Sequence, residues 1–394
     1  VFTTRILKSV TELGRADWDL LFPGRVEGWD YFRACEAAAP QGFELGALAV
    51  YRNEALVGAA PTFKVNYRLD MSLPQRLQAF GEWLNARAPR LVNAPVVGLG
   101  SPLVEECPIG FDARLSPDNR AAVFESLLGG LGQAGKESGA ALLALKDMSA
   151  QDRVWAGPLM AQAKFASVPT LPVAILHLPF ADETAYIASL AGPMRNEIRR
   201  KLKHLKDVEV SFPTTIDGLE DEIVALFEET KSHRKADYDD FDNVPPRYFR
   251  AVLEALGPRA RLMVCRIGGV LASFNIFLIE DDRIIGKYLG MRYPLAREHN
   301  LYFLNWMLVA RVCMAEGKQW MQSGHTGYRV KVRLGSKLKR SWVYFRHVNP
   351  VVNVGFRALG PRFAFDAMDP DLKELGDRAP YLPAPDAKAE LEGA

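Results

Sequence analysis

Apolar and polar positions fall into a pattern that occurs twice along the chain. Residues 45–66, LGALAVYRNEALVGAAPTFKVN, form two β-rich runs around a polar Arg52-Asn53-Glu54 turn, which predicts a hairpin. Residues 261–279, RLMVCRIGGVLASFNIFLI, repeat that arrangement around Gly268-Gly269. A helix is predicted before each hairpin, around Trp29–Ala38 and Arg247–Leu256. Downstream, Ala122, Phe124, Leu127, Leu128 and Leu131 recur at helical spacing within Asn119–Ser138, and after Gly139 comes the strand-like AALLAL of residues 140–145. In the second half Leu301, Leu304, Leu308 and Val312 line one face of a helix over Asn300–Glu316, followed by Gly317 and a short strand at Gln319–Gln322. Helix, hairpin, strand, helix, strand thus appears in each half, which predicts two copies of one α/β unit. The expected boundary lies near residue 180, after PTLPVAILHLPF. Two further helices follow it. One has Pro193 in its first turn and a stripe of Met194, Ile198, Leu202 and Leu205; the other runs over Leu219–His233 and buries Ile223, Leu226 and Phe227.

Composition agrees with two folded units. The chain has 394 residues, and at about 150 residues per domain that length suits two. With 48% hydrophobic and 24% charged residues, a wholly disordered, collagenous or coiled-coil chain is excluded. The longest uncharged apolar stretch, Phe165–Ala181, carries Pro169, Pro172 and Pro179 and is too short to span a bilayer as a helix. VFTTRILKSV at the start lacks the order of a secretory signal, so a cytoplasmic protein is expected. Four scattered cysteines with no CxxC pair point to neither a zinc site nor a disulfide framework, and they suit a reducing compartment. Gly98-Leu99-Gly100-Ser101-Pro102 is not followed at once by a helix, so it reads as a turn and not as a P-loop.

Forty-nine Lys and Arg balance 47 Asp and Glu, and a net charge of +2 gives no argument for DNA binding. The distribution says more than the total. Arg195, Arg199, Lys203 and Lys206 share roughly one stripe of a helix, either a phosphate-binding surface or a solvated face. Residues 324–347 hold seven Lys and Arg and no acid; in an extended Tyr328–Arg333, alternation would turn Arg329, Lys331 and Arg333 to one face. Acids gather at Asp237-Tyr238-Asp239-Asp240-Phe241-Asp242, where Tyr238, Asp239 and Asp240 are candidates for an amine-bearing acceptor. A solvated loop is the alternative there, and EF-hand spacing is absent, so no metal site is expected. His299, at the entry to the Asn300 helix, and His325, after the second-half strand, are candidate general bases; Tyr328 is a candidate acid.

Three segments carry a resemblance to a known family. These are MRNEIRRKLKHLKDVEV (194–210), the run from Ala260 to Glu316 containing KYLGMRYPLAREHNLYFLNWMLVARVCMAE, and GHTGYRVKVRLG (324–335) with its Tyr-x-x-Lys-x-x-x-Gly pattern. They resemble the tandem-GNAT acyltransferases of the FemAB-like and BioF2-like groups. That resemblance implies an α/β (α+β) class of fold, two GNAT-like domains in tandem, each a mixed, mostly antiparallel sheet flanked by helices. The domains would cover residues 1–180 and 181–365, with an acidic Pro/Ala-rich tail at 366–394. It implies an N-acyltransferase whose second copy holds an acyl-CoA donor, with aminoacyl-tRNA as the alternative donor and a small-molecule amine as acceptor. No tightly bound cofactor is implied, and a monomer or homodimer fits equally. A degenerate anion- or RNA-binding protein is the non-enzymatic alternative. Lys331 occupies the family's Lys position and is the preferred catalytic candidate, its charge holding the donor carbonyl or a phosphate. Arg195, Arg199, Lys203, Arg297, Asn300, Arg329 and Arg333 become candidates for donor phosphates. One departure stands out: the Pro294–Asn300 turn has no glycine where many GNAT enzymes cradle pyrophosphate.

Overall fold

The computed structural model describes residues 2–68, 83, 86–87, 93–233, 243–360, 366 and 369–383. Its strands are β1 (Phe2–Leu7), β2 (Glu44–Arg52), β3 (Ala55–Arg68), β4 (Asn93–Leu99), β5 (Gly110–Phe111), β6 (Leu142–Ser149) and β7 (Ala166–His177) in the first half. The second half holds β8 (Glu209–Ser211), β9 (Ala260–Ile267), β10 (Val270–Ile279), β11 (Arg283–Met291), β12 (Trp320–Gln322) and β13 (Lys337–His347). All of them join one sheet in the order β1-β2-β3-β4-β6-β13-β7-β12-β11-β10-β9-β8, with β5 paired to β3.

That order reads the same from either end. β1-β2-β3-β4-β6 on one side corresponds to β8-β9-β10-β11-β12 on the other, and each side has a single parallel pair, β4 with β6 and β11 with β12. The two strands at the centre are exchanged. β13, the last strand of the second half, pairs with β6 of the first, while β7 of the first half pairs with β12 of the second. β7 and β13 then pair antiparallel with each other, tying the halves into one ladder. The fold is two similar α/β units in tandem in one mixed, mostly antiparallel sheet, the class expected from the residues.

Local chemistry explains the elements. Both hairpin turns place their central residues in the left-handed region, Asn53 and Glu54 at φ 49° and 69°, Gly268 and Gly269 at φ 56° and 81°. That conformation matches the twist of the flanking strands. The Pro117–Ser138 helix begins two residues before the expected Asn119, because Ser116 caps it by accepting from Asn119 N and Pro117 suits the first turn. Gly139 ends it at φ 67°.

Alternation along the strands feeds both faces of the sheet. In β2, Ala47 and Ala49 point into one core and Leu48 and Val50 into another. In β9, Leu262 and Val264 join the first of these cores while Met263 and Cys265 join a third, opposite one. The core shared by the halves is built on the two equivalent helices, Trp29–Ala37 and Arg247–Leu256, where the Tyr31 and Tyr248 hydroxyls meet at 2.8 Å. The Leu301–Ala315 helix and the Gly192–Lys201 helix cover the opposite face of the second half.

Candidate functional site

β11 and β12 run parallel but pair only over Arg283–Ile285 with Trp320–Gln322. β11 continues to Met291, whereas the chain after Gln322 turns away at Gly324, φ 64°. The two strands therefore open into a wedge. Gly324 suits this place because its backbone is left-handed, and a Cβ there would also displace the Glu105 carboxylate, which would lie 2.6 Å away. A short helix, Tyr328–Arg333, follows.

That helix corrects the extended reading of Arg329, Lys331 and Arg333. In helical geometry residues two apart lie about 200° apart, so no common basic face forms. Arg329 pairs with Glu374 at 2.6 Å, Arg333 pairs with Glu197, and Lys331 turns inward and is buried. Lys331 Nζ donates to the carbonyls of Ser323, Gly324 (3.0 Å) and His325 (3.1 Å), so it holds the turn at the mouth of the wedge. Tyr328 is fully buried and its hydroxyl donates to Pro172 O at 2.8 Å.

His325 sits in this turn with Nε2 sealed from solvent and without a hydrogen-bond partner among the described residues. Burial pushes its basicity below that of an ordinary imidazole; Glu105 and Asp147 oppose the shift, and Lys146 and Lys331 reinforce it. The imidazole is thus held neutral, the form a general base needs.

Around it lies a buried charged network that links the halves. Glu105 accepts from Gln322 Nε2 at 2.6 Å. Lys146 pairs with Asp147 and donates to Val104 O at 3.0 Å. Glu106 meets Lys339 at 2.7 Å; burial alone would raise its carboxyl, but Lys339, Arg283 and Arg25 outweigh that and hold it below the carboxylate range. Lys287, on the open stretch of β11, is 3% exposed and meets Glu27 at 2.6 Å and Leu103 O at 2.9 Å. Burial works against its charge, yet Glu27 and Glu105 raise its basicity above the usual lysine value. The segment Leu103–Glu106 of the first half is therefore laid along the wedge of the second.

The remaining candidates lie on other elements. Arg195 donates to Ala188 O at 3.0 Å, while Arg199, Lys203 and Arg297 are exposed. The buried cation of the basic helix is Lys201, 2.7 Å from Glu197 and stacked 3.1 Å from the Phe303 ring centre. Asn300 adopts φ 57° at the entry to the Leu301–Ala315 helix, and the His299 ring packs edge-on to His204 at 5.9 Å. Tyr238, Asp239 and Asp240 lie outside the described residues.

Glu27, Glu105, Glu106, Lys146, Asp147, Lys287 and Lys339 were not singled out from the sequence. One signal could have found some of them: Lys287 in RIIGKYLGM and Lys146-Asp147 in LLALKDMS are charges set inside otherwise apolar strands.

Residues 193–331 match the family described as "Acetyltransferase (GNAT) domain". That stretch is similar to a GNAT acetyltransferase domain. The matched span begins at the basic helix and ends at Lys331, so the wedge, His325 and the Leu301–Ala315 helix all lie within it. The whole fold is similar to FemX (TM-score 0.53, 12% identity), covering 83% of this chain and 93% of that one. It is also similar to the C-terminal domain of an Agrobacterium fabrum protein designated a lysylphosphatidylglycerol synthetase (TM-score 0.52, 11% identity, 91% and 96% covered). A tandem GNAT protein from the clavulanic acid biosynthesis pathway aligns at TM-score 0.50 and 14% identity over 89% and 99%. At these identities the likeness is one of fold. No curated protein sequence matches the chain.

Proposed function

We propose that the protein is an N-acyltransferase that moves an acyl group from an acyl-CoA-type donor to a small-molecule amine. In this reading the chain divides near residue 180 into two units, and the second holds the donor in the β11–β12 wedge. The observation that carries the reading is His325, a neutral imidazole in the turn at the wedge, whose buried Nε2 has no hydrogen-bond partner among the described residues. The amine nitrogen attacks the thioester carbonyl, its proton passes to His325, the C–N bond forms and the C–S bond breaks. The departing thiolate takes that proton back from His325 and leaves as free thiol, which returns the imidazole to its neutral form. Lys331 acts as a positioning residue, because its ammonium fixes the carbonyls on either side of Gly324 and at His325. Arg195, Arg199, Lys203, Arg297 and Asn300 line the approach for donor phosphates, and His299 stays at that donor end. Four free, buried cysteines suit a cytoplasmic setting.

The glycine-free Pro294–Asn300 turn favours a second reading in which the donor is an aminoacyl-tRNA, held by exposed basic side chains with no tight backbone cradle. A panel of acyl-CoAs and amines, followed by thiol release, separates the two. Transfer from acyl-CoA should occur, and His325→Ala should lower kcat by about 10²- to 10⁴-fold with donor KM nearly unchanged. Turnover that survives His325→Ala would overturn the site. Transfer from aminoacyl-tRNA alone would establish the second reading, and failure of every donor to turn over or to shift Tm would mark a non-catalytic binding protein.

A further inference from the structure

We propose that His204, Asp207 and His299 form a binding site for a divalent transition metal of the zinc class. One ring nitrogen from each histidine and a carboxylate oxygen of Asp207 lie within 4.8 Å of one another. The ligands come from two elements. His204 and Asp207 are three residues apart in the 3-10 helix Leu202–Asp207, whose three-residue period stacks them on one side. His299 ends the turn that leads into the Leu301–Ala315 helix.

Packing, and not the ligands themselves, brings these elements together. Lys201 rests on the Phe303 ring, and Leu202 and Leu205 pack on the same core as Leu301 and Leu304. The site is therefore preformed on rigid neighbours. A tetrahedral ion with bonds of about 2.0–2.2 Å needs ligand atoms roughly 3.4 Å apart. Ligand atoms within 4.8 Å reach that spacing by side-chain rotation alone, and Asp207 is exposed.

A second observation points to a ligand. His299 Nδ1 is sealed from solvent and has no hydrogen-bond partner among the described residues. Coordination through Nδ1 would give it one. Nε2 then faces Glu298, whose carboxylate lies at 3.8 Å, the kind of outer partner that fixes the tautomer of a metal-bound imidazole.

Two imidazoles and one carboxylate select zinc or cobalt over magnesium and calcium, which prefer all-oxygen shells. Three protein ligands leave a fourth position for water or for an anion. Exposed Lys203, Lys206 and Arg297 flank the ligands in sequence; they oppose a bare cation and favour an anion in the fourth position. Micromolar affinity is expected, weaker than that of a structural zinc site. The site shares His299, and its flanking Lys203 and Arg297, with the donor end of the acyl-transfer reading, but its test uses no activity and so fails or succeeds independently of that reading.

The full chain, stripped of metal, is titrated with Co²⁺ and followed by visible absorption, then challenged with Zn²⁺ and with Mg²⁺. One Co²⁺ per chain should give tetrahedral d–d bands without thiolate charge-transfer bands, and Zn²⁺ but not Mg²⁺ should abolish them. His204→Ala and His299→Ala should remove the bands, and Asp207→Asn should weaken binding at least tenfold. Asp207→Asn alters an exposed side chain, so its metal-free Tm should match the parent and its affinity reports the site alone. Absence of d–d bands, bands that persist without His204 or His299, or unchanged affinity in Asp207→Asn would overturn the proposal.

Discussion

At the scale of single residues, His325 shows how position converts an ordinary side chain into a functional one. A histidine in a loop is unremarkable by sequence; its charged neighbours come from the Leu103–Glu106 segment, from β6 and from the Tyr328–Arg333 helix, and its Nε2 is sealed in the fold. The depressed basicity has a measurable consequence. Because His325 binds its proton more weakly when folded, acid protonates the unfolded chain first. The stability that the neutral ring contributes is complete above about pH 6.5 and is lost as pH falls through the lower folded value. Calorimetric Tm measured between pH 8 and pH 5 should therefore fall less steeply for His325→Gln than for the parent. Parallel curves would show that His325 titrates normally. Lys331 was legible as a candidate, but its role was not. From sequence it was one basic residue among seven, and only the Tyr328–Arg333 helix turns it inward to three carbonyls.

Elements were the most readable level. Trp29–Ala37, Arg247–Leu256, both hairpins and the long helices appear within a few residues of their expected positions, because caps, turns and apolar periodicity act locally. The exception is the stretch after Gly327. Alternating Arg-Val-Lys-Val-Arg suits a strand, yet a left-handed Gly327 and the burial of Tyr328 and Lys331 make one helical turn the better arrangement. Adjacent glycines in the Pro117–Ser138 helix give an element-scale test. A Cβ on Gly129 meets nothing within 4 Å, so Gly129→Ala should stabilise by about 0.5–1 kcal/mol. On Gly130 it would lie 2.4 Å from Thr4 Cγ2 of β1, so Gly130→Ala should destabilise by about 1–3 kcal/mol. Chemical denaturation of the two variants should show opposite signs; equal effects would mean that β1 yields to the helix.

Across the whole molecule the exchanged strands and the buried charges make one structure of two units. β13 and β7 prevent either half from completing its sheet alone, and Lys287 meets Glu27 from the other half. Removing one partner leaves a buried, uncompensated charge, so Lys287→Met should cost about 3–5 kcal/mol. Combining it with Glu27→Gln should recover a substantial part of that loss, as a double-mutant cycle in denaturant would read. Additive losses would show that the two charges do not sense each other. A single unfolding transition is expected throughout, since the halves share a core as well as a ladder.

By itself the sequence determined the two α/β copies, their hairpins and helices, the absence of a membrane-length apolar helix and the resemblance to tandem GNAT proteins. Those follow from short-range periodicity and from motif residues that lie close together along the chain. Only the tertiary structure decided that β7 and β13 change places, that Leu103–Glu106 lies along the β11–β12 wedge, and that His204 and Asp207 converge on His299. The physical reason is the same in each case. Strand order and the pairing of buried charges depend on contacts between residues far apart in the chain, and no local pattern encodes which distant partner will arrive.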